Sequence, residues 1–267
     1  MKVTQEQRDK IIRLFPKQRG NVKVDTSQFL DAIIYIGENG CKGRALPETF
    51  GPWHTIYVRI NRWAKNGVLE RIVHALQEEQ ITNKRIPVVS LDSPSVKVHP
   101  DAAGALTQNG KQALGRSRGG LTTKIPMLVA DTQCALGCIL SCGEASDASN
   151  GRLLLDTIGS IKDSPEDSPL YLVMDRASED GETRLLAFEW GYSPVVPPKK
   201  NRKHPWEYDQ QLYKQRNEVE RMFRRLKGFR RIGTRYDKLD LMFSMYIYLA
   251  LCVIAFGSLI PRSVNRL

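Results

Sequence analysis

Apolar residues recur with two different periods along this chain, and the change falls near residue 83. Before it they come every three or four positions, as one face of a helix requires. Such runs lie around residues 6–14, around residues 27–37 and, after Pro47 and Pro52, through HTIYVRINRWAKNGVLERIVHAL. Turn residues between the runs predict a small helical unit over residues 1–82, of helix-turn-helix type. In the last run Ile56, Ile60 and Trp63 share one face, while Arg59, Arg62 and Lys65 fall near another. The basic side is expected to dock on DNA, although a solvated amphipathic helix has the same pattern.

Beyond residue 83 the texture is that of strands. IPVVSLD ends at Asp92, and TTKIPMLVAD and CALGCILSCG pair as a hairpin through a turn near residues 131–133. A helix (150–161), a strand (170–175), a helix (182–190) and a short strand (193–196) follow. A meander that gives way to alternating helices and strands predicts a mixed sheet with helices on its faces, an α/β (α+β) domain over residues 83–267. Residues 241–260, LMFSMYIYLALCVIAFGSLI, are long enough to span a membrane and carry no charge. Ser244, Tyr246, Tyr248, Cys252 and Gly257 dilute that apolarity, so a buried core helix is expected, with a single membrane span as the competing reading.

Charge narrows the choice of partner. The 267 residues include 40 Lys and Arg against 29 Asp and Glu, a net charge of +11 spread over most of the chain. This favours a polyanion, nucleic acid before an anionic membrane surface. PPKKNRKHP, with Lys199 and Lys200, is the one obvious basic loop. Five loosely placed cysteines and an N-terminus with charges where a signal peptide needs an apolar run imply a reducing, cytoplasmic setting. Cys134, Cys138 and Cys142 have a spacing that would suit ligands on a helix, but their segment reads as two strands and no histidine is near in sequence. Small buried thiols are expected there, not zinc.

Candidate chemistry lies in carboxylates. Asp92 and Asp175 each end an apolar strand, and if those strands are neighbours the two carboxylates converge. Like charges that close require a proton on one of them or a cation between them, and hard oxygen donors select Mg²⁺ or Mn²⁺. Either aspartate alone would pass for a turn-former. A third acid comes from YKQRNEVERMFRRLKGFRR, residues 213–231, where Glu218 and Glu220 sit among cations. On a helix, Glu220 shares a row with Tyr213, Arg216 and Lys227, and Glu218 has Gln211, Lys214 and Arg225 as salt-bridge neighbours. Leu212, Val219, Met222, Phe223 and Leu226 form the apolar stripe between them. Both glutamates flank that stripe, so helix geometry leaves the choice open.

At these residues the chain resembles the DDE transposases of the insertion sequence five family, and the likeness runs over most of its length. The family's C-terminal signature is Tyr, two residues, Arg, three residues, Glu, six residues, Lys; Tyr213, Arg216, Glu220 and Lys227 fit it without a gap, which selects Glu220. LDSPSVKVH resembles the first-aspartate motif at Asp92, with GRSRGGLTTKI as the strand entry after it. DRASED resembles the second, at Asp175, with Ser178 and Glu179 where the family's Asp-Arg-Ala-Tyr-Asp motif has tyrosine and aspartate. FLDAIIYIGENGCKGRALPETFGPWHTIYVRINRW resembles the family's helical DNA-binding region and departs from its tryptophan-containing version at residues 41–44.

The resemblance implies an RNase H-like catalytic core preceded by the helical DNA-binding region, with Asp92, Asp175 and Glu220 holding two Mg²⁺ or Mn²⁺ ions. It implies cleavage at insertion-sequence ends and strand transfer into target DNA, with terminal inverted repeats and target DNA as partners and a homodimer assembled on the ends. Tyr213, Arg216, Lys227 and Arg224, together with Arg59, Arg62, Lys199 and Lys200, are the residues expected to contact DNA. Arg221, Arg225, Arg230 and Arg231 widen that positive surface. Two other classes compete: a DNA-binding regulator or catalytically decayed transposase, which DRASED favours, and a membrane-anchored protein using residues 241–260.

Overall fold

In the computed structural model, residues 9, 12–17, 23–83, 86–106, 109–161 and 169–256 are described. The helix expected around residues 6–14 lies mostly outside them, with residues 12–14 helical. Helices α1 (Thr26–Asn39), α2 (Trp53–Lys65) and α3 (Val68–Asn83) form the N-terminal unit. Asp25 caps α1 by accepting from the Gln28 amide at 2.8 Å, and Gly40 ends it in a left-handed conformation. The long periodic run is two helices, because Asn66 and Gly67 interrupt it and Gly67 takes a φ of +58°.

The main sheet has strand order β6-β5-β1-β8-β9, with β1 at Val88–Asp92, β5 at Met127–Val129, β6 at Ala135–Cys138, β8 at Leu170–Met174 and β9 at Tyr192–Val195. β5 and β6 are the expected hairpin and run antiparallel, whereas β8 and β9 are parallel to β1. The chain also builds a second sheet, β10-β2-β4-β3 with β7 on β4, which the sequence pattern did not suggest. It comprises β2 (Ser95–Val98), β3 (Gly115–Ser117), β4 (Gly120–Lys124), β7 (Ser141–Cys142) and β10 (Thr234–Arg235). TTKIPMLVAD therefore contributes to two sheets. Pro126 lies between β4 and β5, where its ring nitrogen has no hydrogen to give a ladder.

Alternation along β1 decides what each face carries. Val89 and Leu91 point into a core shared with α4 (Asp147–Ile158) and α5 (Gly181–Glu189), whose Leu154, Leu155 and Ala187 are fully or almost fully buried. Helix α4 begins a turn earlier than the sequence pattern predicts; Asp147 sits in its first turn, favoured by the helix dipole, and pairs with Lys124 at 2.7 Å. On the opposite face α7 (Asn217–Lys227) lays Val219, Met222, Phe223 and Leu226 over β1 and β5.

Helix α9 (Asp240–Phe256) is buried on nearly every side, packed against α1, α2, α3 and α7, which explains its apolarity all round. Among the described residues no helix is long and apolar enough to cross a membrane. The buried cluster containing α9 also takes in Phe29, Ile33, Trp63 and Leu69 from the N-terminal helices. Those helices and the C-terminal helix thus complete one another's core. Burial and the nearby charge of Glu70 push the Cys138 thiol up to about 12, and no group of three metal-binding side chains occurs among the described residues. Cys134 is buried, and Cys138 and Cys142 are partly buried.

Candidate active site

Register brings the two aspartates together. β1 and β8 are parallel with Leu91 opposite Met174, so Asp92 and Asp175, one residue further along, leave neighbouring strands side by side. Both share the face of Ser90, whose buried hydroxyl donates to the Gln215 carbonyl at 3.1 Å. That bond ties the middle of β1 to the single 3₁₀ turn Lys214–Arg216, which joins the short helix α6 (Gln210–Tyr213) to α7. The row of residues read from the sequence as one helix is therefore interrupted by a 3₁₀ turn before Glu220.

Arg216 lies among the acids. Its guanidinium donates to Glu220 Oε1 at 2.6 Å and stands 3.7 Å from Asp92 Oδ2. Burial works against its charge, but Glu220, Tyr213, Asp175 and Asp92 together hold its pKa above the ordinary arginine value. Asp92 is raised, chiefly by burial; the Ser93 amide, which donates to it at 2.8 Å, and Arg216 oppose that, while Asp175 and Asp147 add to it. Asp175 accepts from the Arg176 amide at 2.6 Å, capping the turn that follows. Tyr213 is half-buried, edge-on to Tyr208 at 5.6 Å, and burial raises its hydroxyl.

Glu218 and Glu220 have different surroundings. Glu218 pairs with Arg221 at 2.6 Å instead of with Lys214 or Arg225, while Glu220 shares Arg216 with Asp92. Exposure alone points the other way, since the Glu218 side chain is 25% exposed and that of Glu220 48%. The shared arginine is the more informative observation, because it connects Glu220 to Asp92 at the end of β1.

A family model described as "Transposase DDE domain" matches residues 83–255, and one described as "Putative transposase of IS4/5 family" matches residues 3–73. The chain belongs to the DDE transposases of the IS4/5 family. An uncharacterized protein, y4sN of Sinorhizobium fredii, is 30% identical to this transposase over 94 residues, 35% of the chain and 72% of that relative. The mixed sheet with flanking helices and an N-terminal helical region agrees with the RNase H-like fold that the resemblance implies.

The structure separates the cations expected to meet DNA. Arg62, Lys200, Arg224 and Lys227 are exposed, the last with its ammonium 4.7 Å from the Phe223 ring centre. Arg59 is a correction: it is 5% exposed, lies against the rings of both Phe29 and Trp63, and donates to the Val24 and Asp25 carbonyls and the Thr26 hydroxyl. Burial, then Arg62, lowers its pKa to about 10, with Asp25 opposing. This transposase uses Arg59 inside its helical unit. Lys199 is engaged by Glu179, Arg225 donates to the Thr132 carbonyl at 2.7 Å, and Arg231 forms a two-pronged pair with Asp237. Arg225 and Arg231 are held within the fold, whereas the Lys199 side chain stays 48% exposed.

The donor set of Asp92, Asp175 and Glu220 is all carboxylate oxygen, the chemistry that suits Mg²⁺ or Mn²⁺. Asp92 and Asp175 converge through the sheet itself, and Arg216 already supplies positive charge among the three acids. In chemical type the three carboxylates suit divalent ions, but the described residues do not gather them into a cluster of three metal-binding side chains.

Proposed function

We propose that this transposase cuts DNA at the ends of its insertion sequence and joins those ends to a target, using Asp92, Asp175 and Glu220. The observation that carries the reading is the adjacency of Asp92 and Asp175 across β1 and β8, under an arginine bonded to Glu220. The three carboxylates would hold two Mg²⁺ or Mn²⁺ ions, which when bound would activate water or a DNA 3′-hydroxyl for in-line attack on a phosphodiester.

The chain's own residues have separate tasks in this reading. Asp92 and Asp175 are fixed by the sheet and by the amides of Ser93 and Arg176, so their oxygens are presented without a large ordering cost. Arg216 balances the acids and steadies Glu220, while Lys227, Arg224, Lys200 and Arg62 meet DNA phosphates. Two ends must be processed together, so the reading takes two copies of the chain on paired terminal inverted repeats.

Incubating the purified chain with Mn²⁺ and a duplex bearing the inverted repeats tests the proposal. Nicks at the repeat ends are expected. Specific binding with no nicking in Mg²⁺ or Mn²⁺ would instead favour a DNA-binding regulator.

A further inference from the structure

Glu179, in the segment DRASED, is 1% exposed, and a carboxylate that deep is costly unless cations accompany it. The charge of Arg184 on α5 acts on it, and its two ion-pair partners come from the basic loop after β9. Arg202 donates to Glu179 Oε1, and Lys199 stands 3.7 Å from Oε2 and donates to the Glu179 backbone carbonyl at 3.2 Å. Trp206 closes the same loop, with its indole donating to the Val196 carbonyl at 2.9 Å. The guanidinium carbons of Arg184 and Arg202 lie 3.7 Å and 4.5 Å from its ring centre.

Topology says what this assembly can serve. β1, β8 and β9 are parallel, so the loop leaves the sheet at the same edge as Asp92 and Asp175. Lys199 and Arg202 pair with Glu179 while remaining partly open to solvent, and Lys200 and Lys203 on the same loop are exposed without an ion pair to it.

We propose that Glu179 is a positioning residue that latches the loop of residues 197–206 to the carboxylate edge of the sheet, so that Lys200 and Lys203 are presented to the DNA backbone. The latch rests on the reading of that edge as the DNA-cutting site. Burial of Glu179 depends on docking of the loop, because moving the loop away takes both ion-pair partners from a carboxylate that has no access to water. Serine and glutamate in DRASED are then part of a working support: Ser178 is buried and Glu179 reaches the loop.

The test uses the full chain carrying Asp92→Asn, so its readouts need neither metal nor cleavage. Glu179→Ala is compared with Glu179→Asp and Glu179 for trypsin cutting within residues 197–206 and for affinity to a duplex of arbitrary sequence across a salt series. Cutting in the loop is expected to rise about tenfold in Glu179→Ala with other sites unchanged. The slope of log affinity against log salt should fall by about 1 to 2, the loss of one or two phosphate contacts, and Glu179→Asp should recover part of both. Should Glu179→Ala fail to fold, Arg202→Gln is expected to show the same local cutting and the same loss of slope. An unchanged loop and slope, or faster cutting at all sites alike, would overturn the latch. Because nicking is not measured, neither outcome depends on whether the three acids perform the proposed cleavage.

Discussion

Leu91 and Met174 are register partners in a parallel strand pair, and this one relationship places Asp92 and Asp175 next to each other at the C-terminal ends of two central strands. Strand alternation then sends both toward the helical segment that carries Arg216 and Glu220. The Ser90 hydroxyl ties that segment to β1 through the Gln215 carbonyl.

Ser90→Ala removes this tether and leaves the Gln215 carbonyl short of a donor. A loss of about 1 kcal/mol in urea unfolding is expected, the usual value of one such bond. Nicking should fall several-fold further than binding to the ends.

Arg216→Gln leaves Asp92, Asp175 and Glu220 without their shared counter-charge. Divalent ions should then stabilise the fold more than they do in the parent chain. Thermal unfolding in EDTA and in Mg²⁺ measures this, and the Mg²⁺-dependent rise in Tm should be larger by a few degrees. An equal rise in both proteins would show that Arg216 does not balance the acids.

Arg59 and Arg62, three residues apart on α2, should behave oppositely. Arg59→Ala removes buried hydrogen bonds and ring contacts and is expected to cost about 2 to 4 kcal/mol of stability. Arg62→Ala should change stability by less than about 0.5 kcal/mol and weaken DNA binding. Urea titrations paired with gel-shift assays separate the two effects.

Asp180 caps α5 by accepting from the Thr183 amide at 2.5 Å and pairs with Arg152 at 2.7 Å. Burial opposes its charge, but the Thr183 and Arg152 contacts prevail and hold its pKa below the ordinary aspartate value. A depressed folded-state pKa means stability present above the unfolded pKa and lost as pH falls through the folded one. Asp180→Ala should therefore cost about 1 kcal/mol near neutral pH, and the difference from the parent chain should shrink as acid protonates the carboxylate. Chemical unfolding at a series of pH values tests it.

Much of this was legible in the sequence for physical reasons. VVSLD and LYLVMD are largely apolar runs, which is how strands covered on both faces look, and each ends in its aspartate. The apolar segment beginning at residue 241 lacks a polar side because helices surround it. The second sheet was not legible: β3, β7 and β10 are two or three residues long, too short to show a period. Arg59 was misassigned although its spacing held the clue. At about 100° per residue it falls roughly 40° from Trp63, nearer the buried face than the open one. The partners of Glu179 lie twenty and more residues downstream, and nothing local in DRASED announces them.

Glu220 is the residue on which the account of the site depends, and the most direct measurement compares Glu220→Gln with Glu218→Gln. Both are assayed for Mn²⁺-dependent nicking of inverted-repeat DNA, with binding to the ends followed in parallel and Asp92→Asn and Asp175→Asn as references. Glu220→Gln, like the two references, is expected to lose at least about a thousandfold in nicking, roughly 4 kcal/mol of barrier, while keeping end binding. Glu218→Gln should stay within a few-fold of the parent chain. Full nicking by Glu220→Gln, with loss in Glu218→Gln, would contradict the assignment.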